Sequence, residues 1–182
     1  MRTSNYQNFL NNYSSSINEL ISSNSIGFKI ICEAMKKLSK KSKIIICGNG
    51  GSSSIASHFA TDVTKILSIP SITFNDHNLI TCFANDYGFE NWTKEALKNY
   101  SKTGDLVFLI SSSGESNNMI NAAKYLIKQK KNTLITMTGF KKGNRLSKLG
   151  NFNIWIDSNS YNHVEMTHHI LLVAAVDYLA KN

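Results

Sequence analysis

The run Ile44-Ile45-Ile46-Cys47 is unbroken apolar sequence, and it stops on Gly48. A strand with one wet face alternates apolar and polar residues, so a short continuous run bounded by glycine reads as a strand covered on both faces. That constrains the fold: such strands belong to parallel sheets with helices packed on each side. The same pattern recurs at 71–74 (SITF, after Pro70), 105–110 (DLVFLI), 132–138 (NTLITMT) and 152–156 (FNIWI). Helical periodicity fills the gaps at 53–67, 78–85, 90–101 and 116–130, with a short turn at 142–149 and a last helix from about 162 to 180. Before the first strand, apolar residues from Phe9 to Leu38 recur at three- and four-residue steps and fit two helices broken near 22–25. The expectation is an α/β chain: a three-layer αβα sandwich on a five-stranded parallel sheet, joined by right-handed crossovers.

The 182 residues suit one domain, with a helical segment over 1–40 and an α/β core over 41–182; one proline and no low-complexity tract leave no place for a linker. Met1 to Asn12 is polar and no stretch is long and apolar enough to span a bilayer, so a cytoplasmic protein without a membrane partner is expected. Cys32, Cys47 and Cys82 are odd in number and set among apolar residues, which reads as buried thiols rather than a disulfide framework or a cysteine metal site. The net charge of +8 comes from scattered lysines without interleaved aromatics. That distribution favours attraction of anionic metabolites over nucleic-acid binding.

Ligands of open α/β sheets bind beyond the carboxyl ends of the strands. After the first strand comes Gly48-Asn49-Gly50-Gly51-Ser52, and after the third Ser111-Ser112-Ser113-Gly114-Glu115-Ser116. Glycines let backbone approach a ligand, and hydroxyls and amides at a helix start receive an anion. Neither loop completes a dinucleotide or P-loop motif, and no Ser-His-Asp order is present. On neighbouring strands the two would converge on one phosphate.

The segments CGNGGSS, HFATD, FNDHNLITCFANDYGFE, LISSSGESNN and TMTGF, in this order, resemble the sugar isomerase (SIS) domains, and within them the phosphoheptose isomerases. The resemblance implies that Asn49, Gly50, Gly51 and Ser52 line a sugar phosphate, that Ser111, Ser112, Ser113 and Ser116 cradle its phosphate, and that Asn85 and Asp86 meet the substrate. It also implies a homotetramer with sites at subunit contacts. His58 falls on a zinc-ligand position, and Asp62 on that of a glutamate that ligates zinc and removes the substrate proton. Residues four apart share one helix face, so both reach one point. Two further ligand positions implied for Zn2+ hold Val164 and Leu172.

The last helix nevertheless offers Glu165, His168 and His169 at spacings that place polar groups on one face. His58, Asp62, Glu165 and His169 together would run an enediol proton transfer between C1 and C2, carboxylate as base and imidazole as acid. Set against this, Asn162-x-x-Glu165 fits a capping box, in which Glu165 only satisfies backbone amides. The three histidines of this helix cannot all face one site, Asp76 and Asn78 beside His77 suit a turn or cap, and Trp92 and Trp155 suit the core or an interface. The resemblance implies three readings: an aldose-ketose isomerase, sedoheptulose 7-phosphate to a heptose 7-phosphate for lipopolysaccharide or capsule synthesis; a non-catalytic SIS module for phosphosugar or protein binding, as in the DnaA initiator-associating proteins; or a SIS isomerase for another phosphosugar, its pocket reshaped by the altered last helix.

Overall fold

The computed structural model describes residues 2–182. Two helices, α1 (Arg2–Ser22) and α2 (Ser25–Lys36), lead into β1 (Ile44–Cys47), α3 (Gly51–Leu67), β2 (Ser71–Ile72), α4 (His77–Tyr87) and α5 (Trp92–Tyr100). Then follow β3 (Leu106–Ser111), α6 (Asn117–Gln129), β4 (Thr133–Thr138), β5 (Phe152–Trp155) and α7 (Tyr161–Lys181). All pairings in the sheet are parallel, in the order β2-β1-β3-β4-β5. The expected architecture is present, with the ends of α3 to α7 shifted by no more than two residues. Only the edge strand β2 is markedly shorter than the run that announced it.

Every residue of β1 and β3 is buried, as their continuous hydrophobicity requires. Ile44 and Ile46, with Leu106, Phe108 and Ile110, face α2, α3 and α7; Ile45, Cys47, Val107 and Leu109 face α5 and α6. Two cores therefore share one sheet, the first centred on the edge-to-face pair Phe59–Phe108, with ring centroids 5.6 Å apart. Trp92 belongs to the second core. At the amino ends of the strands, Asp105, 1% exposed, accepts from the Lys43 and Lys102 amides and pairs with Lys43 Nζ at 2.6 Å. This clamps β1 to β3 at the end away from the loops.

Cys32 and Cys47 are buried free thiols, and burial raises both above the ordinary thiol range. Cys82 corrects the expectation of three buried cysteines: it lies exposed on α4, a helix with no fully buried residue, which packs through Leu79, Ile80, Phe83 and Ala84 and turns Cys82 outward. No helix among the described residues is long and apolar enough to cross a membrane.

Candidate functional site

The chain runs from β1 outward to β2, then returns to β3 on the other side of β1. The loops after β1 and β3 thus leave opposite faces at the point where strand order reverses, the place where α/β sheets open a crevice. Register puts Cys47 beside Leu109, so the glycine loop at Gly48 and the serine loop at Ser111 start within one residue of each other. They are joined directly. Asn49 Nδ2 donates to Asn118 Oδ1 and Asn118 Nδ2 to Asn49 Oδ1, each at 2.9 Å.

Local chemistry shapes both loops. A side chain at Gly48 would overlap the backbone of Ser52, and Gly50, at φ 55° and ψ −125°, holds a conformation only glycine takes readily. Ser52 is buried behind them. In the serine loop, Gly114 combines φ 70° with direct contact against Asn144, which is buried and donates to the carbonyls of Gly139 and Lys141. Leu146 N donates to Gly114 O, and Gly139 N to Ser112 O, so the β4–β5 connection pins this loop from behind. Sequence reasoning missed Asn144 and Asn118; the asparagines in SGESNN and KKGNR carry no motif that separates them from turn residues.

Two helix N-termini meet here without side-chain caps. Gly50 precedes α3 and has no side chain to offer, while Ser116 precedes α6 but its hydroxyl accepts from Ser111 Oγ at 3.1 Å rather than from its own helix. First-turn amides left free of caps, together with the helix dipoles, favour negative charge at this point. Ser111 and Ser112 are buried; Ser113 Oγ accepts from Glu115 N. Ser112 Oγ has no hydrogen-bond partner of good geometry.

Glu165 enters this crevice from α7. Its carboxylate lies against Gly51, where any side chain would overlap it. Burial pushes the Glu165 carboxyl above the ordinary carboxylate range, and the neighbouring Ser112 hydroxyl pulls it back. The capping-box expectation is therefore corrected: the α7 N-cap is Ser160, which accepts from His163 N, and Glu165 sits at the start of α3 instead. The close packing of α7 on α3 makes that reach shorter than the one back along its own helix.

One turn on, His169 Nε2 lies 2.8 Å from His58 Nδ1, and His58 Nε2 lies 3.1 Å from Asp62 Oδ2. A carboxylate accepts only, so with both rings neutral His58 donates from Nε2 and accepts at Nδ1, and His169 donates from Nε2. In this neutral chain His169 keeps the lone pair on its Nδ1. Burial lowers the His169 pKa, with His58 acting in the same direction and Asp62 against it. The other histidines go elsewhere, as their spacing requires: His168 is buried with Nε2 3.3 Å from Thr138 O, and His163 packs edge-on to Tyr13. Asp76 caps α4 through the amides of Asn78 and Leu79.

The residues present do not fit the zinc implied by the resemblance. Both His58 ring nitrogens face protein partners, Val164 and Leu172 are buried core residues, and among the described residues no group of three or more His, Cys, Asp or Glu side chains is arranged to hold a metal ion. Asn85 and Asp86 make no hydrogen bond to either loop. They lie exposed in the last turn of α4, where Asn85 Nδ2 donates to Asp86 Oδ1.

Comparison with known proteins places this geometry. Residues 8–139 match the SIS domain family. Phosphoheptose isomerases of Fusobacterium nucleatum and Cytophaga hutchinsonii are each 34% identical to the chain, over 140 residues (73% of this chain, 70% of that protein) and 147 residues (75% and 76%) respectively. The solved structure of the Neisseria gonorrhoeae phosphoheptose isomerase superposes with a TM-score of 0.89 at 24% identity, over 100% of both chains. That of the Francisella tularensis enzyme gives 0.86 at 21%, again over 100% of both. With the matched segment spanning both ligand loops, the chain belongs to the SIS-domain family, in its phosphoheptose isomerase branch.

Proposed function

We propose that the chain is an aldose-ketose isomerase acting on a heptose phosphate, with sedoheptulose 7-phosphate as ketose. The observation that carries this is the Glu165 carboxylate, desolvated and set between the start of α3 and Ser112 of the serine loop. A carboxyl with a raised pKa serves proton transfer, and this one adjoins the crevice that the topology opens at the strand reversal.

The phosphate sits on Ser111, Ser112, Ser113, Ser116 and the amides of α6, since Glu165 already brings negative charge to α3. Asn49, Gly50, Gly51 and Ser52 line the sugar. Glu165 takes the C1 proton of the ketose, giving an enediolate with its charge on O2. The O1 hydroxyl proton passes to His169 Nδ1 and on to O2, and Glu165 returns its proton to C2, leaving the aldehyde at C1. His58 and Asp62 hold the His169 tautomer and stabilise its transient charge. No step is routed through a metal. Self-association, in the homotetramer of the resemblance, accounts for the lack of fully buried residues on α4 and would bring Asn85 and Asp86 to a neighbouring copy's substrate.

The test is turnover of sedoheptulose 7-phosphate by the purified protein, with product aldose measured directly. Glu165→Gln is expected to lower kcat by about a hundredfold or more, the scale of a lost general base, with substrate still bound. Unchanged turnover in this variant removes Glu165 from the mechanism. Binding without turnover by the wild-type chain favours the non-catalytic module.

A further inference from the structure

Asn118 is 2% exposed, sits in the first turn of α6 and touches neither a phosphate loop serine nor the proton-transfer residues by hydrogen bond. Its partners are Asn49, through the reciprocal amide pair at 2.9 Å, and Thr93 Oγ1 at 3.2 Å. Thr93 is fully buried in the first turn of α5. One turn along α6, Asn121 donates to Glu90 O, fastening the same helix to the α4–α5 connection. An amide side chain has two N–H donors and an oxygen with two lone pairs. In Asn118 both donors are spent inside the protein, one on Asn49 and one on Thr93. In Asn49, half-buried, one donor and one lone pair are spent on Asn118, and one of each remains.

We infer that Asn118, held by Thr93, is a positioning residue that fixes the Asn49 amide so that its free N–H, on one flank, and its free lone pair, on the other, meet separate hydroxyls of the sugar. This rests on the site being a sugar-phosphate cradle. A polyhydroxyl chain suits both flanks, because its hydroxyls accept from the free N–H and donate to the free lone pair, whereas a phosphate dianion offers acceptors only and would face the Asn49 oxygen unfavourably. Without Asn118 the Asn49 amide is free to rotate, and either end faces the ligand.

The test is a double-mutant cycle with Asn49→Ala and Asn118→Ala, read as KM and kcat for sedoheptulose 7-phosphate, as its dissociation constant by calorimetry, and as competition by inorganic phosphate. Asn118→Ala is expected to weaken sugar-phosphate binding about tenfold, to lower kcat less than it raises KM, and to leave phosphate competition unchanged. In the Asn49→Ala background it is expected to add nothing, because it acts through Asn49. Thr93→Val keeps the shape of the buried site and is the second variant should Asn118→Ala fold poorly; it is expected to act in the same direction and likewise vanish in Asn49→Ala. Multiplying effects, or a parallel loss of phosphate competition, overturns the proposal. Binding without turnover sinks the isomerase reading alone, because the cycle is still read on binding; a wild-type chain that binds no sugar phosphate overturns both.

Discussion

At the scale of single residues, burial decides what each histidine of α7 does. His168 and His169 are neighbours in sequence, yet one is sealed in the core and the other meets His58 across a helix interface. Desolvation pushes the His168 pKa down to about 4, against a smaller opposite pull from the Thr138 carbonyl. The stability consequence has a definite sign. Above about pH 6.5 the ring is neutral folded and unfolded; as pH falls from there toward 4 only the unfolded chain takes up the proton, so stability is lost. The full loss is on the order of 3 kcal/mol. His168→Leu is expected to remove this slope and to cost little at pH 7, because His168 Nδ1 has no partner to lose and Thr138 O still accepts from Ile156 N. Urea unfolding at pH 7 and pH 5 checks it. An equal acid sensitivity in the variant would assign the slope to other groups.

At the scale of elements, the site depends on how closely α7 approaches the start of α3. Gly51 makes that approach possible, and its backbone has ordinary negative φ, so alanine is tolerated by the helix while displacing the Glu165 carboxylate. Gly51→Ala is therefore expected to cut turnover by about tenfold to a hundredfold, the effect of misplacing a reacting group by about an ångström, with the melting temperature nearly unchanged. Loss of fold together with activity would make Gly51 a packing residue only. The capping box read from Asn162 and Glu165 failed for the same reason: a local motif competes with a partner that only helix packing supplies.

At the scale of the whole molecule, a chain with a sound core still leaves apolar side chains in water. Tyr6, Phe9 and Leu10 on α1 are 70%, 67% and 59% exposed, and α4 ends beside exposed Tyr87 and Phe89. Such patches suit the self-association proposed above. Sedimentation equilibrium is expected to give about four times the 20.3 kDa chain mass, and Phe9→Glu with Leu10→Glu to give smaller species. A monomer at all concentrations would refute the assembly and leave Asn85 and Asp86 without a role.

The strands were legible because full burial on two faces writes an unbroken apolar run, and the two candidate ligand loops were legible because glycine and serine cluster directly after such strands. Those are local requirements, met by neighbours in the chain, and sequence by itself determined them. Strand order, the Asn49–Asn118 pair, the turn of Cys82 to solvent and the placing of Glu165 at the start of α3 were decided by tertiary structure alone. Each depends on which surfaces meet across dozens of residues, and a polar side chain reads alike in sequence whether its partner is water, its own helix or an amide 69 residues away.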